Sequence, residues 1–438
     1  MSSKNRTLSY RQLTAFFIPL GFSASLTSIS HVIINGTLSR GEEAAYIIAC
    51  YAVAFSLFGI VEKPIIVFRQ TSSALVKDYN SFKKLSAVFV YVTIVMILIS
   101  FMIGFTAVGD WMFIHLFNAD ANMVDTISLT FRWIALVIIF SGIRGIYQGV
   151  IINHHETNWL TIGVVIRLAV MFLVAFWFVS TNRVHSMAGA AIFLTGMIVE
   201  CMISAWKGHR LLLQTPVEKE STLENAEIMP FYMPLVFYFF IQTILQPIIY
   251  VFLAQSANIE LSIASFALAF AVSQLMLSFF MYTHQIVLQF YQTSKAKVIK
   301  FTILLSLIPT IMLVLMSYTP FGIWTMKVVM GADPSLSDST LFVLQFFIVK
   351  VLVFPWVDFL NGFIMLQRRT GKMLAAQVVN LISVFVSLLA LVHFFPQLNG
   401  ANGAIAASVG ELMGLVAVIM IISKDKAYRL FRVKVNAG

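Results

Sequence analysis

The sequence consists largely of apolar runs about twenty residues long, separated by short polar segments. Only 11% of its 438 residues are charged, whereas soluble domains usually carry about 25%. A run of about 20 apolar residues is long enough to cross a bilayer as a helix. A helix also satisfies its own backbone hydrogen bonds in lipid. We therefore predict an all-α membrane protein with about twelve transmembrane helices.

The predicted spans form two sets of six. The first set runs approximately Leu13–Asn35, Ala45–Val67, Leu85–Val108, Ile127–Ile152, Leu160–Val179 and Gly189–Trp206. The second set runs approximately Tyr232–Leu253, Leu261–Leu288, Phe301–Ser317, Leu341–Leu366, Leu374–Phe394 and Gly403–Ile422.

The basic residues between the spans predict the orientation. Alternate segments, including both termini, hold nearly all the lysines and arginines that lie between spans, and the other segments hold only Arg40, Arg183 and Lys327. Basic residues favour the cytoplasmic side. We therefore predict a multi-pass protein of the cell membrane with both termini in the cytoplasm.

The two sets of spans also repeat one another in sequence. At a shift of 215 positions Phe16 aligns with Phe231 and Pro19 with Pro234, and 13 of the 40 positions from Phe16 to Phe55 are identical. Each set has an even number of spans, so the repeats are parallel, as in some transporter folds. We predict six-helix lobes at residues 1–208 and 229–438, joined by a cytoplasmic linker at residues 209–228.

The motifs that carry enzyme chemistry are missing from the sequence. There is no G-x-x-x-x-G-K-[ST] phosphate loop for ATP hydrolysis, and no cysteine–histidine spacing typical of a metal site. We expect a protein that is not an enzyme and has neither a cofactor nor a metal site. The basic charge is explained by membrane orientation, so we expect no nucleic acid partner.

Ionisable residues inside a membrane span are costly and usually serve a function or bind a partner. We expect Arg144, Arg167 and Lys350 to bind phosphate or carboxylate groups of a substrate. Acidic partners such as Asp358 or Glu411 are the alternative to this anion site. Glu200 lies near the inner end of its span, where a side chain can reach the membrane surface.

Uncharged polar residues mark two further faces. His31 and Asn35 share one face of the first helix, and Gln246 lies on the equivalent face of the seventh. We expect these three side chains to line a central cleft as polar substrate contacts. Asp358, Glu62 and Glu411 are candidates for ion coupling or for charge pairing.

The N-terminal part of the chain carries a family resemblance. Pro19-Leu20-Gly21 opens the first helix and Asn35 closes it, Ala54-Phe55-Ser56-Leu57 lies in the second, and Pro64 and Arg69 follow. This pattern is similar to the progressive ankylosis transport family. The twelve spans in two parallel repeats resemble the wider superfamily of MATE exporters and flippases, known as the MOP superfamily.

The resemblance implies two lobes that open alternately to either side, and it implies export. Members of the ankylosis family are associated with pyrophosphate, nucleotide or citrate efflux, and related flippases move lipid-linked precursors. MATE pumps expel organic cations, usually with an acidic residue in the first helix, where this chain has His31 instead.

We expect a secondary transporter or flippase in the bilayer that exports an anionic or amphipathic substrate, which is a small molecule or a lipid-linked molecule. H⁺ or Na⁺ is a possible coupling ion. One alternative is a MATE-type multidrug antiporter for organic cations, driven by H⁺ or Na⁺. The other is a membrane scaffold in envelope assembly that transports nothing.

Overall fold

The structure is a computed structural model that describes residues 8–38, 40–42, 44–117, 121–215, 223, 225–253, 255–329 and 334–424. Much of the predicted linker, residues 216–222, lies outside the described residues, as do most of the basic residues of the two chain ends, all except Arg11 and Lys424. The described residues at either end of that predicted linker, up to Gln214 and from Asn225, are helical.

Twelve spans follow one another along the chain, as the hydropathy predicts. They are α1 (Tyr10–Leu38), α2 (Tyr46–Val61 with Lys63–Leu75), α3 (Tyr79–Phe105), α4 (Val124–Asn153), α5 (Asn158–Ser180), α6 (Ser186–Gln214), α7 (Ala226–Leu253), α8 (Leu261–Phe290), α9 (Lys295–Tyr318), α10 (Pro334–Leu366), α11 (Gly371–Phe394) and α12 (Gly400–Ser423). In the described part of the chain α2 is a bent pair of helices, and α4 and α8 each contain a short break, at Leu136 and at residues 279–282.

The second helix of each repeat is interrupted. The two parts of α2 meet at 53° on either side of Glu62. Pro64, two residues further on, has no backbone N–H to continue the helical hydrogen bonds. In α8 the helix stops at Ser278 and begins again at Thr283.

The surface is apolar and several charged groups lie inside. Leu98, Phe101, Leu304 and Ile311 of α3 and α9 are more than half exposed, while Arg167 is 1% exposed. This distribution suits lipid as the surrounding solvent, because apolar side chains then face lipid and charged side chains need partners in the interior.

Close helix contacts recur at equivalent positions of the two repeats. A Cβ atom on Gly189 would lie 2.8 Å from Cδ2 of Tyr51, and a Cβ on Gly403 would lie 2.7 Å from Cδ2 of Phe266. The glycines are 214 positions apart and the aromatic residues 215. The internal repeat is therefore present in the packing as well as in the sequence.

The described residues form two compact units. One is Phe22–Tyr232, and the other combines the residues before Phe22 with those after Tyr232. The start of α1 therefore packs with helices of the second repeat, and the start of α7 packs with helices of the first. The predicted lobes at residues 1–208 and 229–438 stay a prediction, and the compact units differ from them by these exchanged helix starts.

Each exchanged helix start is held by a lysine. Within one unit, Nζ of Lys297 donates a hydrogen bond to the carbonyl oxygen of Leu8 at 2.6 Å. Within the other, Nζ of Lys84 donates to the carbonyl oxygen of Leu223 at 2.7 Å. The lysines are 213 positions apart and the leucines 215. The same contact is therefore made once in each unit, by equivalent residues.

We predict that alanine at two repeat-related glycines destabilises the fold. A Cβ on Gly149 would lie 2.7 Å from the backbone nitrogen of Ser73, and one on Gly362 would lie 2.9 Å from the carbonyl oxygen of His284. Backbone atoms cannot move aside as flexible side chains do. Gly149→Ala and Gly362→Ala should each lower the free energy of unfolding by about 1–3 kcal/mol, measured as thermal unfolding of the purified proteins.

Gly59→Ala is the matched control. Apart from the adjoining backbone of α2, no atom of the described residues lies within 4 Å of a Cβ at Gly59, so the variant should be as stable as wild type or more stable. Equal stability of all three variants would contradict the proposed close packing.

Candidate functional site

The Phe22–Tyr232 unit contains a buried ionic cluster centred on Glu200 of α6. The Nη1 atoms of Arg144 and Arg167 each lie 2.9 Å from Oε2 of Glu200. Nε2 of Gln148 donates to Oε1 of the same carboxylate at 2.9 Å. Such an arrangement keeps a carboxylate ionised in a low-dielectric interior, because two cations and several hydrogen bonds replace its hydration.

Helical periodicity brings these groups together. Arg144 and Gln148 are four residues apart on α4 and therefore share one face. Glu200 and Ser204 are likewise four apart on α6, and Nε2 of Gln148 lies 3.3 Å from the hydroxyl of Ser204. One face of α4 and the facing side of α6 thus each contribute two polar side chains to the cluster.

Arg167 joins the cluster from α5. Its Nη2 donates to the Ser30 hydroxyl of α1 at 2.7 Å, and its guanidinium carbon lies 5.6 Å from the Phe193 ring centroid. Arg167 is 1% exposed, whereas the Arg144 side chain is 15% exposed. Arg144 is therefore the more accessible of the two predicted anion-binding arginines.

Two more charged residues extend the cluster from α2. Nη1 of Arg69 donates to Oε1 of Gln148 at 3.1 Å, and Ser141 of α4 donates to Oε1 of Glu62. The cluster thus contains three arginines and two glutamates. Arginine charge exceeds carboxylate charge even when both glutamates are ionised.

The structure corrects the expected position of Glu200. Its side chain does not reach the membrane surface, as its place near a span end suggested, but is 2% exposed between two arginines. The sequence analysis gave Asp358 or Glu411 as alternative acidic partners for the arginines. In the structure the acidic partner of Arg144 and Arg167 is Glu200.

Of the predicted polar residues of α1, His31 lies beside this cluster. The His31 ring is 5.1 Å from the Phe55 ring centroid and 6.3 Å from that of Phe193, on which Arg167 also packs. Asn35, one turn further along α1, is exposed. His31 is therefore near the cluster, and Asn35 is open to a ligand or to lipid.

The other compact unit holds the remaining predicted residues. Nζ of Lys350 lies 5.4 Å from the Phe270 ring centroid and interacts electrostatically with the buried Glu411. Nε2 of Gln246 donates to the hydroxyl of Tyr250 at 2.9 Å. Glu411 also interacts electrostatically with Asp358, so it links Lys350 to Asp358.

Asp358 has a partner that the sequence analysis missed. Its Oδ1 lies 3.0 Å from Nδ1 of His284, and its Oδ2 accepts the backbone N–H of His284 at 2.8 Å. His284 belongs to the first turn after the interruption of α8. The aspartate of α10 therefore holds the second part of α8 in place.

Sequence reasoning did not pair Arg69, Glu200 or His284 with the predicted site residues. The offset between the repeats aligns two of these residues with each other, and it aligns Arg144 with Asp358 in the same way. Arg69 and His284 are 215 positions apart, and Arg144 and Asp358 are 214 apart. The two repeats thus place ionisable residues at the same helix positions, but these are arginines in the first repeat and a histidine–aspartate pair in the second.

We predict that Glu200→Gln strongly destabilises the protein. The variant leaves two arginine charges near each other without a carboxylate. Breaking a buried ion pair by removing one partner costs about 3–5 kcal/mol, and the measurement is the change in thermal stability of the purified protein.

Glu156→Gln provides the comparison. Glu156 pairs with Lys207 and is 41% exposed, and surface pairs contribute about 0–1 kcal/mol. A Glu200→Gln variant as stable as the Glu156→Gln variant would contradict the structural role of the cluster.

The whole fold matches solved structures of transporters. The eukaryotic MATE transporter AtDTX14 superimposes with a TM-score of 0.75 over 96% of this chain and 98% of its own, at 12% sequence identity. An outward-facing multidrug resistance MATE family transporter of the MOP superfamily gives 0.74 over 98% and 96%, at 14% identity. The chain therefore has the MATE fold, as expected.

A third match is a MOP superfamily transporter from Pyrococcus furiosus, with a TM-score of 0.71 over 98% of this chain and 96% of that one, at 15% identity. Its description states that the reverse polarity of its binding pocket suggests a different function. Neither a protein-family model nor a curated protein sequence matches this chain.

Proposed function

We propose that this chain is a secondary transporter that moves an anionic or amphipathic substrate out of the cell by alternating access. The excess of arginine over carboxylate around Glu200 carries the proposal. Arginine binds phosphate and carboxylate through two parallel charge-assisted hydrogen bonds. The MATE fold and the absence of an ATP-binding motif support transport without ATP hydrolysis.

Arg144 is the central substrate-binding residue in this proposal. It is the partly exposed arginine of the Glu200 ion triad, and its buried Nε has no acceptor among the described residues. Glu200 holds one edge of the guanidinium, which fixes its orientation. A bound anion then receives hydrogen bonds from an arginine that is already positioned, so less side-chain entropy is lost on binding.

The other predicted residues have supporting roles. Arg167 positions the cluster and adds positive potential from its buried site, and Lys350 adds a cation in the other unit. His31, Asn35 and Gln246 supply polar contacts, and Glu411 balances Lys350. The cell membrane, with both termini in the cytoplasm, is the proposed location, as the distribution of basic residues indicates.

The resemblance to the ankylosis family suggests pyrophosphate and citrate as test substrates. A lipid-linked phosphate fits the same arginine chemistry, and its movement would make the protein a flippase. Precedent for a change of pocket charge on this fold comes from the Pyrococcus furiosus transporter, for which a reversed pocket polarity is described.

We predict that wild-type protein in proteoliposomes transports labelled pyrophosphate or citrate and that Arg144→Gln reduces the rate by about tenfold or more. Loss of a hydrogen bond to a charged group costs about 1.5–3 kcal/mol. Arg210→Gln is the control, because Arg210 is an exposed arginine outside the cluster. Equal rates in wild type and Arg144→Gln would contradict the proposed site.

A second candidate function is cation antiport of the MATE type. The observation in its favour is the pair of carboxylates Asp358 and Glu411 in the unit that holds α8 to α12. This function predicts that a cationic dye moves against a proton or sodium gradient and that Asp358→Asn abolishes the movement. Failure of both anions and dyes to move would favour the scaffold alternative.

A further inference from the structure

Glu62 lies at the break of α2. It is the single residue between the helical segments Tyr46–Val61 and Lys63–Leu75, and it is 8% exposed. Its Oε1 accepts a hydrogen bond from the Ser141 hydroxyl of α4. The carboxylate therefore sits at the bend, joined through one hydroxyl to the helix that carries Arg144.

Glu62 lacks an ion pair in the described part of the chain, where the pairs of its unit are made by Glu200 and Glu156. Arg144, Arg167 and Lys63 act on it electrostatically without bonding to it. An ionised carboxylate that is buried without a bonded cation is unfavourable by several kcal/mol, and proton uptake removes that cost.

The neighbouring charged groups are less suited to bind a proton reversibly. Glu200 is held by Arg144, Arg167 and Gln148, so protonation would break two ion pairs. Arg69 bonds Gln148, and arginine stays charged in proteins. His31 packs against two phenylalanine rings, which cannot accept a conventional hydrogen bond from an imidazolium.

We propose that Glu62 is a proton-binding site that couples proton movement to movement of the anion, an inference that rests on the proposed function. Ionised Glu62 competes with a substrate anion for the positive potential of Arg144. Protonated Glu62 is neutral and leaves that potential to the substrate. By linkage, bound anion strengthens proton binding by the same factor.

The coupling makes the anion and the proton travel in the same direction. The only covalent change is formation and loss of the O–H bond on the Glu62 carboxyl group, with water supplying and receiving the proton. Efflux then runs down the concentration gradient of the substrate and carries a proton out with it. An imposed proton gradient should in turn drive substrate uptake into vesicles.

The test uses full-length protein in proteoliposomes with labelled pyrophosphate. Wild type should bind pyrophosphate about tenfold more tightly at pH 6 than at pH 8, within the usual range of coupling factors. An acidic exterior should drive its accumulation inside the vesicles. Glu62→Gln should lose both effects but still exchange internal unlabelled for external labelled pyrophosphate, since exchange needs no net proton movement.

Three further variants make the result specific. Pyrophosphate itself titrates in this pH range, and that contribution is the same in wild type and in Glu62→Gln. Glu156→Gln, which removes an exposed carboxylate, should behave as wild type, and Glu62→Asp should retain coupling. Ser141→Ala removes the donor to the ionised carboxylate, so the midpoint of the pH dependence should move to higher pH.

The outcomes separate this inference from the proposed function. Wild-type protein that moves no anion under any gradient would overturn the proposed function. Anion transport that keeps its full pH dependence and gradient-driven accumulation in Glu62→Gln would overturn the proton site alone. If Glu62→Gln does not fold, an unshifted midpoint in a folded Ser141→Ala variant would overturn the proton site.

Discussion

The contact of one buried carboxylate with two arginines determines how the Phe22–Tyr232 unit is arranged. Glu200 of α6 binds Arg144 of α4 and Arg167 of α5 at 2.9 Å each, and Arg167 continues to Ser30 of α1. Four helices are thereby tied at one depth. None of the three charges could be buried at this depth without the others, because each would lose its hydration without a replacement.

The buried ion pairs around Glu200 also determine the electrostatic potential of the cluster. A cluster with more arginines than carboxylates keeps positive potential after its internal pairs are made. Arg144 presents that potential, since it is less buried than Arg167. Glu62, at the bend of α2, is the carboxylate whose protonation can change the potential without breaking an ion pair. In the proposed function, fold stability and substrate binding therefore depend on neighbouring residues of one cluster.

The internal duplication explains where the cluster lies and why its charge is not fixed by the fold. Equivalent glycines allow the same close helix approaches in both repeats, and equivalent lysines hold the exchanged starts of α1 and α7. Polar residues occupy equivalent positions in the two repeats, but their side chains differ in charge. Arg144 and Asp358 occupy matching points, one binding Glu200 and the other His284.

The sequence alone was sufficient to predict the spans, their number and the repeat. The length of each apolar run and the shift that aligns the two halves can both be read directly from the chain. Sequence reasoning also selected Arg144 and Arg167 by their depth in the bilayer. It failed for Glu200, whose partners depend on how α4, α5 and α6 are rotated about their axes. Arg69 and His284 could have been found from the repeat offset, which matches one with the other and Arg144 with Asp358.

The most direct measurement of the central claim is equilibrium binding of labelled pyrophosphate to the purified protein in lipid nanodiscs, in wild type and in Arg144→Gln. The account predicts saturable binding that weakens as salt rises, resists competition by an organic cation and is lost in the variant. Folded wild-type protein that binds no anion, or a variant that binds as well as wild type, would contradict the assignment of the arginine cluster as the substrate site.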